Sequence, residues 1–476
     1  MGICSKSNVF SETKLQPLVI PTRDTENSFE SSISTPNITD VYVLKKVIGK
    51  GSFGTVRRGN RLDNPAIQIA VKSIPKSLIS FDLLNFKNEF SILSLIDHPN
   101  IVRLYDSFED PYFFHIVTEF CLGGELFDRI LSKGRLTEKS ASLYMQKMLR
   151  AVSHLHENGI SHRDIKPQNF VFYDETEEAE LKLIDFGLSK KHNPKVRMNS
   201  FVGTPLYIAP EVLKGSYSEK CDIWGLGVIL SLMLTGTFPF EGSSTNDIYR
   251  NLLKNELNTE SYVYKHLSDP AIDLLRKLLE KNPERRISAK EALAHPWIKL
   301  KFELKINENI YRDICLYRPT SELYKMCLGI IVKYMSSEEL ASLNQAFNEA
   351  DIEGNGYLTY ENMQNALKIS GLYLPKHELS SLLQRLDSTN SGIIHYSNFL
   401  SAAISNRLSL DEQMLSTLFN FFDTYKTGEL TPRTLRRFFK KLGIFYPSEK
   451  ISKLINEVSG TNSISFEDFK RIFKFN

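Results

Sequence analysis

Apolar residues change their spacing along the chain, and these changes divide it into regions with different predicted elements. Residues 1–40 are rich in Ser, Thr, Asn and Glu and have neither helical nor strand periodicity, which predicts a flexible tail. From Val41 to about Leu104, short runs of β-branched residues surround turn signals, as is typical of strands. From about Leu122 to Trp297, longer patterns with helical spacing predict helices.

A joining segment is predicted over residues 299–340, and it contains one amphipathic helix. Apolar side chains recur there every three or four residues, so that one face of the helix is apolar. These side chains belong to Leu323, Met326, Cys327, Ile330, Ile331 and Tyr334.

The last region contains an internal repeat with a period of 36 residues. Asp351, Asp387 and Asp423 lie one period apart, and each is followed five residues later by glycine. An apolar residue comes two positions after each glycine, and another comes four positions before each aspartate. The pattern predicts helix–loop–helix units joined by a short β-like contact. A fourth unit is expected from Ser459, with a loop that is two residues shorter because Ile464 stands at its glycine position.

Composition narrows the class of protein without identifying it. The 476 residues are 42% hydrophobic and 24% charged, as expected for a globular chain of two or three domains. The net charge of +3 gives no electrostatic reason to expect nucleic acid as a partner. Five widely spaced cysteines, no signal peptide and no run long enough to span a bilayer predict a cytoplasmic protein.

A glycine-rich segment lies between two predicted strands. Its three glycines let backbone N–H groups approach a phosphate chain without obstruction by Cβ atoms, although an ordinary glycine turn explains the segment equally well by itself. The candidate phosphate-binding residues are Ile48, Gly49, Lys50, Gly51, Ser52, Phe53, Gly54, Thr55 and Val56.

A lysine and a glutamate follow this segment. Lys72 ends a β-branched strand sixteen residues after Val56, and Glu89 lies on a predicted amphipathic helix. A lysine at a strand end is usually only solvated, but a Lys–Glu pair can hold the ammonium against α- and β-phosphates. The order of the motifs favours this second role.

Two further segments carry groups suited to phosphoryl transfer. On one predicted loop, Asp164 would accept a proton from a substrate hydroxyl, and Lys166 would neutralise the γ-phosphate. Asn169 on the same loop and Asp185, just past an apolar strand, would bind Mg²⁺. Glu211 is expected to pair with Arg286 in a structural role.

In this order and spacing, the motifs resemble those of a eukaryotic protein kinase over about residues 41–298. The segment from His162 to Pro167 is of the kind found in serine/threonine kinases. The resemblance implies a two-lobed fold with ATP in the cleft. It also implies that Thr118 is the gatekeeper and that Glu119 and Cys121 lie on the hinge that contacts the nucleotide.

Two positions bear on the protein substrate. Glu125 resembles the position that receives a ribose hydroxyl or a basic residue upstream of the target, although an exposed glutamate is more often only solvated. Related basic-directed kinases often carry Glu where Gln168 stands, so strong selection for a second arginine is not expected.

The predicted activation loop is basic and contains a serine at the usual phosphorylation position, Ser200. A phosphate there would order the loop through charge-assisted hydrogen bonds to Arg163 and to the basic side chains expected around it. Those side chains belong to Lys190, Lys191, Lys195 and Arg197.

A kinase region followed by an amphipathic junction and four helix–loop–helix units is similar to the calcium-dependent protein kinases, and this resemblance extends to the C-terminus. The stretch from Ser321 to Leu328 resembles that family's regulatory helix. The resemblance implies that Ca²⁺-loaded EF-hands pull this helix away from the catalytic cleft. The sequence leaves open whether residues 321–340 lie in the cleft or along the repeats.

The loops themselves do not favour strong Ca²⁺ binding, which needs oxygen ligands at loop positions 1, 3, 5, 7, 9 and 12 and a bidentate Glu at position 12. The second and third loops carry one carboxylate each at the charged positions, and the fourth loop is too short. Two readings remain open: helix pairs that serve for packing and docking, and Ca²⁺ regulation through the first loop. The ligands of that loop would be Asp351, Glu353, Asn355, the Tyr357 carbonyl and Asn362, which replaces the Glu.

The N-terminal residues could direct the protein to a membrane. Gly2 is a candidate for myristoylation and Cys4 for palmitoylation, and two such anchors would give stable attachment to the cytoplasmic face. Lys6 stands where the motif prefers Ser or Thr, so a plain flexible start is an equal alternative.

The predicted fold is α+β, with a two-lobed eukaryotic protein kinase fold followed by an all-α region of four EF-hand-like units. The predicted divisions are a tail (1–40), a kinase domain (41–298), a regulatory junction (299–340) and an EF-hand-like domain (341–476). The predicted function is transfer of the γ-phosphate of ATP, with Mg²⁺, to Ser or Thr of protein substrates. Alternatives are a Ca²⁺-insensitive kinase controlled by activation-loop phosphorylation and a non-catalytic scaffold.

Overall fold

The structure, a computed structural model, describes residues 37–51, 54–78, 89–176, 179–191, 197–299, 308–335, 337–387, 391–408, 412–423, 426–441 and 447–473. Of the residues singled out above, Gly2, Cys4, Lys6, Ser52, Phe53 and Lys195 lie outside these ranges.

Thirteen strands are present among the described residues. They are β1 Tyr42–Gly51, β2 Gly54–Arg61, β3 Gln68–Pro75, β4 Leu104–Glu109, β5 Phe113–Glu119, β6 Ile160–Ser161, β7 Phe170–Phe172, β8 Leu181–Leu183, β9 Lys190–Lys191, β10 Tyr357–Thr359, β11 Ile393–His395, β12 Glu429–Leu430 and β13 Ile464–Ser465.

The α-helices are numbered in chain order, and the first of them, which contains Glu89, is described over 89–95. The others are α2 Leu126–Lys133, α3 Glu138–Glu157, α4 Pro210–Leu213, α5 Lys220–Thr235, α6 Thr245–Lys254, α7 Asp269–Leu278, α8 Ala289–Leu293, α9 Glu308–Leu316, α10 Glu322–Tyr334, α11 Ser337–Ala350, α12 Tyr360–Ile369, α13 Lys376–Leu386, α14 Tyr396–Ile404, α15 Glu412–Phe422, α16 Pro432–Lys441, α17 Ser448–Ser459 and α18 Phe466–Arg471. Short 3₁₀ turns occur at Ile38–Asp40, Lys76–Leu78, Pro167–Asn169, Pro205–Tyr207 and Tyr262–Tyr264.

The N-terminal lobe is built on a five-stranded antiparallel sheet in the order β1-β2-β3-β5-β4. The β-branched runs of the sequence form these strands, and Ile69, Val71 and Val117 fill the core on one face of the sheet. Ile38 packs into the same core, so residues 37–40 belong to this lobe and not to the predicted tail.

The C-terminal lobe is helical and surrounds α5. Residues Ile223 to Leu234 of this helix are buried on every side, as the unbroken apolar run predicts. The helix ends at Gly236, whose left-handed φ of 74° suits glycine. None of the helices in the described ranges is long and apolar enough to cross a membrane.

The predicted repeat is confirmed as four helix–loop–helix units arranged in two pairs. Strand β10 pairs with β11, placing Leu358 opposite Ile394, and β12 pairs with β13, placing Leu430 opposite Ile464. The apolar residue that follows each loop therefore forms the contact between two loops. Helices α11–α14 form the first pair of units and α15–α18 the second.

The joining segment contains two helices, α9 and α10. Leu323, Cys327 and Leu328 of α10 lie in the same apolar core as the EF-hand-like units, and α10 packs on α14. Tyr334, at the end of α10, contacts Tyr105 of β4 in the N-terminal lobe. In this structure, α10 therefore runs along the repeats, and α11 continues the chain across the predicted boundary at residue 340.

Candidate active site

Three charged side chains from different elements meet at Lys72. Its Nζ donates to Glu89 Oε1 at 2.8 Å and Oε2 at 3.0 Å, and to Asp185 Oδ1 at 2.8 Å. Lys72 is held on β3 by its register opposite Val56 of β2 and Ile116 of β5. The predicted Lys72–Glu89 pair is therefore present, and it joins Asp185 in one cluster.

The charges in this cluster stabilise each other against burial. Burial alone would lower the pKa of Lys72, but Glu89 and Asp185 raise it above its usual value. Burial alone would raise the pKa of Asp185, but the Lys72 ammonium lowers it below its usual value. Burial raises the pKa of Glu89, and the Lys72 ammonium opposes this shift without cancelling it. Lys72 and Asp185 therefore remain charged at neutral pH.

A second cluster surrounds the Asp164 carboxylate. Oδ2 accepts from Lys166 Nζ at 2.5 Å, and Oδ1 accepts from Thr204 Oγ1 at 2.8 Å. Asn169 Nδ2 donates to the Asp164 carbonyl at 2.8 Å. The structure thus brings Asp164, Lys166 and Asn169 together, as predicted. Thr204 was not assigned to the site from the sequence, and no local pattern marks it.

The loop that carries Asp164 is held from below by a buried aspartate. Asp222 Oδ2 accepts from the His162 backbone N–H at 2.9 Å, and its Oδ1 accepts from the Arg163 N–H at 2.8 Å. Arg163 has a φ of 68°, an uncommon conformation for a non-glycine residue. The role of Asp222 is therefore to hold this strained turn.

The glycine-rich segment forms the turn between β1 and β2. Gly51 lies opposite Gly54, Lys50 opposite Thr55 and Gly49 opposite Val56. A Cβ atom at Gly54 would stand 2.4 Å from the Ser73 carbonyl oxygen, so close packing on β3 requires glycine there. The side chain of Ile48, on β1, is exposed. These residues lie on β1 and β2, and β2 is the neighbour of β3, which carries Lys72.

The predicted hinge follows β5. The Glu119 side chain is buried, forms an ion pair with Lys182 at 3.0 Å and accepts from the Arg103 N–H at 2.8 Å. Burial would raise the pKa of Glu119, but Lys182 and Arg103 lower it. Burial raises the pKa of the Cys121 thiol. The side chain of Glu119 thus supports the predicted hinge from behind.

The two positions linked to the substrate, Glu125 and Gln168, have different surroundings. Glu125 stands at the N-cap position of α2, and its pKa is raised by burial and by Asp128 and lowered by Lys166. Gln168 hydrogen-bonds to Tyr207. The Lys166 ammonium is thus one of the charges that act on the Glu125 carboxylate.

Ser200 meets Arg163 as predicted. Arg163 Nη1 donates to Ser200 Oγ at 2.7 Å, and its Nε donates to the Leu188 carbonyl at 2.6 Å. Arg197 instead pairs with Glu284, and Lys190 and Lys191 are exposed on β9. Among the described residues, the predicted basic cluster around Ser200 is therefore reduced to Arg163, because Arg197 is bound to Glu284.

The predicted Glu211–Arg286 pair is confirmed. Arg286 Nη1 and Nη2 donate to Glu211 Oε1 and Oε2 at 2.6 and 2.9 Å, and both side chains are buried. The parallel geometry is the strong bidentate form of this ion pair. It fastens the segment after the activation loop to the base of the C-terminal lobe.

The donor atoms suit a magnesium nucleotide. Asn169 uses Nδ2 to bond Asp164, so that its amide oxygen is the atom left for a metal ion. Asp185 receives Lys72 and the Gly187 N–H at Oδ1, so that Oδ2 is the oxygen left for a metal ion. A carboxylate and an amide oxygen are ligands that Mg²⁺ accepts together with phosphate oxygens.

The EF-hand-like loops use their first aspartate for a different purpose. Asp351 Oδ1 accepts from the Asn355 N–H at 3.1 Å, and Oδ2 accepts from the Gly356 N–H at 2.9 Å. Asp387 and Asp423 make the same two bonds in their own loops. Each carboxylate therefore closes its loop by capping backbone amides.

Position 12 of the first loop is also engaged. Asn362 Oδ1 accepts from the Thr359 N–H at 2.9 Å and from Thr359 Oγ1 at 2.8 Å, which caps helix α12. Asn355 Nδ2 donates to Glu353 Oε2 at 3.3 Å. Because an amide replaces the bidentate carboxylate, the donor set of this loop does not fit a tight Ca²⁺ site. Within the described ranges, no group of three or more His, Cys, Asp or Glu side chains is placed to hold a metal ion.

The first loop is instead packed against the kinase region. His154 Nδ1 of α3 donates to the Asn355 carbonyl at 2.9 Å, and Arg150 Nη2 donates to the Asn348 carbonyl at 2.8 Å. The backbone carbonyl of Tyr357 stands at loop position 7, and the side chain of this residue hydrogen-bonds to Glu157. Burial raises the pKa of Asp351, and Arg150 opposes this shift. The Arg150 guanidinium thus supplies positive charge close to Asp351.

Comparison with known proteins matches this architecture. The protein kinase domain family matches residues 42–298, and the EF-hand domain pair matches residues 340–404. The chain is 34% identical to calcium-dependent protein kinase 3 of Plasmodium berghei over 455 residues, which cover 92% of this chain and 81% of the relative. It is 35% identical to calcium-dependent protein kinase 28 of Oryza sativa subsp. japonica over 449 residues, which cover 92% and 85%.

Proposed function

The chain belongs to the calcium-dependent protein kinase family and is a serine/threonine protein kinase, and we propose that Lys72, Asp164 and Asp185 carry out the transfer of phosphate from ATP to its protein substrates. The observation that supports these roles is the contact of the Lys72 ammonium with both Glu89 and Asp185. This contact joins the N-terminal lobe to the loop that would hold the metal.

Each residue of the site has a distinct task in this proposal. Lys72, held by Glu89, binds the α- and β-phosphates, and the glycine-rich turn covers them with backbone N–H groups. Asp164 accepts the proton of the substrate hydroxyl, and Lys166 neutralises charge on the transferred phosphoryl group. Mg²⁺, bound by Asn169 and Asp185, neutralises phosphate charge during transfer.

Replacement of the proposed base tests this assignment. Asp164→Asn keeps the shape of the side chain and removes its basicity, so phosphate transfer to a Ser/Thr peptide should fall by about 100-fold or more. MgADP binding, measured by calorimetry, should change less than twofold. Transfer at the wild-type rate by Asp164→Asn would refute the role of Asp164.

We propose that the EF-hand-like units act mainly as packing and docking elements and that activity does not depend on Ca²⁺. The capping bonds of Asp351 and Asn362 support this proposal. The second candidate, Ca²⁺ regulation through the first loop, is favoured by the two carboxylates of that loop, Asp351 and Glu353. Phosphate transfer measured with and without a Ca²⁺ chelator separates the two, and loss of transfer in the chelator would support the second.

Control by phosphorylation is proposed at Ser200. The Arg163–Ser200 bond supports it, because a phosphate on Ser200 would stand next to a guanidinium already in place. Ser200→Ala should lower the activity of enzyme that has been incubated with ATP. Ser216→Ala, at an exposed serine further along the same lobe, should not lower it.

For the substrate and the membrane, two proposals extend the assignment. Glu125 would bind a basic residue upstream of the target, which peptides with and without that residue would test.

Acylation of Gly2 and Cys4 would attach a cytoplasmic protein to the cytoplasmic face of a membrane. Labelled myristate should enter the wild-type chain and not Gly2→Ala.

A further inference from the structure

Helix α10, called here the junction helix, ends on the back of the N-terminal lobe. Arg103 Nη1 donates to the carbonyls of Val332 at 2.8 Å and Lys333 at 3.0 Å. Lys333 Nζ in turn donates to the Tyr105 carbonyl at 2.6 Å. The last carbonyls of a helix carry partial negative charge, so a guanidinium is a favourable partner for them.

The bonds at the end of this helix matter because little packing supports its middle at this face. A cavity of about 270 Å³ lies between the junction helix and the N-terminal lobe, and Gly329, Lys333 and Arg103 are among its lining residues. A Cβ atom at Gly329 would meet nothing within 4 Å. Attachment of the junction helix to the N-terminal lobe therefore depends on the last turn of this helix.

The same arginine is also bonded to the hinge through its backbone. The Arg103 N–H donates to Glu119 Oε1 at 2.8 Å, and the Arg103 carbonyl accepts from the Glu119 N–H at 3.0 Å. Lys182 Nζ lies 3.0 Å from the same Glu119 oxygen. Arg103 thus has its side chain on the junction helix and its backbone on the residue that begins the hinge.

The charges along this route are coupled. Burial alone would lower the pKa of Arg103, but Glu119 raises it, and the Arg103 charge in turn helps to lower the pKa of Glu119. Displacement of the guanidinium would therefore change both the position of a backbone and the field at a buried carboxylate.

We propose that Arg103 is a positioning residue for the nucleotide: the seated junction helix holds Arg103, Arg103 holds Glu119, and Glu119 sets the hinge that receives the adenine. This inference rests on the proposed nucleotide site and adds a structural reason for an effect of the junction on ATP affinity. The coupling runs through the back of the hinge and does not require the junction to enter the cleft.

The competing explanation is that Arg103 only fastens the C-terminal region to the kinase. Arg150 provides the matched control, because its guanidinium also donates a hydrogen bond to a carbonyl of the C-terminal region. This carbonyl belongs to Asn348. Arg150 lies on α3 in the C-terminal lobe, away from Glu119 in the chain and in the hydrogen-bond pattern. If both arginines only fasten the C-terminal region, replacing either one should change nucleotide binding by the same factor.

The test uses the full chain with Arg103→Met, Arg103→Lys and Arg150→Met. Phosphate transfer to a Ser/Thr peptide gives kcat and the KM for ATP, and calorimetry gives the Kd of MgADP. Arg103→Met should raise both the KM for ATP and the Kd of MgADP about fivefold, about 1 kcal/mol, with kcat within twofold of wild type. Arg103→Lys, which keeps a charged donor, should have both constants within twofold of wild type. The control Arg150→Met should also have both constants within twofold of wild type.

Several outcomes would overturn the proposal. They are an unchanged Kd of MgADP in Arg103→Met, no rescue by Arg103→Lys, and an equal increase in Arg150→Met. If Arg103→Met does not fold, Arg103→Gln replaces it, with an expected increase of about threefold. A wild-type chain that binds MgADP but transfers no phosphate would refute the proposed function, while the MgADP titrations would still decide the role of Arg103.

Discussion

Gly356 lies so close to His154 that a Cβ atom at position 356 would stand 2.6 Å from His154 Nδ1. Gly356 belongs to the first EF-hand-like loop, and His154 belongs to helix α3 of the kinase region. The same Cβ atom would stand 2.5 Å from His98 Cδ2. The loop glycine therefore serves two purposes, since it allows a φ of 82° and it allows the loop to dock.

Two alanine substitutions separate these purposes. Gly392 occupies the same position in the second loop with a φ of 80°, and a Cβ atom there would meet nothing within 4 Å. Gly392→Ala should cost about 1 kcal/mol through backbone strain alone. Gly356→Ala should cost about 2–3 kcal/mol, because it also forces the loop away from His154 and His98. Thermal unfolding of the full chain measures both, and equal losses would contradict docking of the first loop.

The Lys72 cluster predicts that loss of the Lys72 charge lowers the rate of phosphate transfer, whereas loss of a lysine charge outside the cluster does not. Lys72→Met should lower the rate of phosphate transfer by about 100-fold or more, because it removes the cation between Glu89 and Asp185. Lys76→Met, four residues away, removes an exposed pair with Glu109 and should leave the rate within twofold. A similar loss in both variants would show that the assay reports folding instead of catalysis.

The buried Glu211–Arg286 pair predicts a large loss of stability. Glu211→Gln leaves the Arg286 guanidinium buried beside a neutral partner, so the free energy of unfolding should fall by about 3 kcal/mol. Glu284→Gln breaks the exposed pair with Arg197 and should cost less than about 1 kcal/mol. Denaturant unfolding followed by circular dichroism gives both values. A loss below about 1 kcal/mol in Glu211→Gln would contradict the structural role.

Asp222 predicts a dependence of stability on pH. Burial alone would raise its pKa, but the hydrogen bond from His156, the electrostatic interactions with His156 and His162 and the hydrogen bond from the Arg163 N–H lower it. A carboxylate whose folded pKa is depressed contributes stability above its unfolded pKa of about 3.9 and loses it as pH falls through the folded value.

The corresponding measurement compares wild type with Asp222→Asn, whose amide oxygen can still accept a hydrogen bond but which cannot ionise. Wild type should have the higher Tm at about pH 6, and the difference should shrink as the pH is lowered below about 4. A difference that stays constant between about pH 6 and pH 3 would mean that the charge of Asp222 is not stabilising.

Several site contacts could be predicted from sequence because their residues occur in ordered motifs. Lys72 with Glu89, and Glu211 with Arg286, were expected as pairs and are found as pairs. The repeat period likewise predicted the β-like contact of each unit, and the structure shows that Leu358 lies opposite Ile394 in it. The expectation of a tail was wrong for its last residues, because Ile38 packs into the core of the N-terminal lobe although Asn37, Thr39 and Asp40 stay exposed.

Other contacts carried no local signal. Thr204 beside Asp164 and Lys182 behind Glu119 are ordinary residue types at unremarked positions, and they join the site because separate loops converge there. The charge of the first EF-hand-like loop could be counted from sequence, but its burial against α3 could not.

The sequence alone determined the candidate phosphate-binding residues and the four helix–loop–helix units, since each follows from motifs or periodicity within short segments. The two-lobed kinase fold followed from the family resemblance that those motifs carry. Only the tertiary structure decided where the junction helix lies and that Arg103 connects it to the hinge. Arg103 and Val332 are 229 positions apart. Contacts of this kind depend on the shapes and charges of surfaces that exist only after each part has folded, so no local pattern records them.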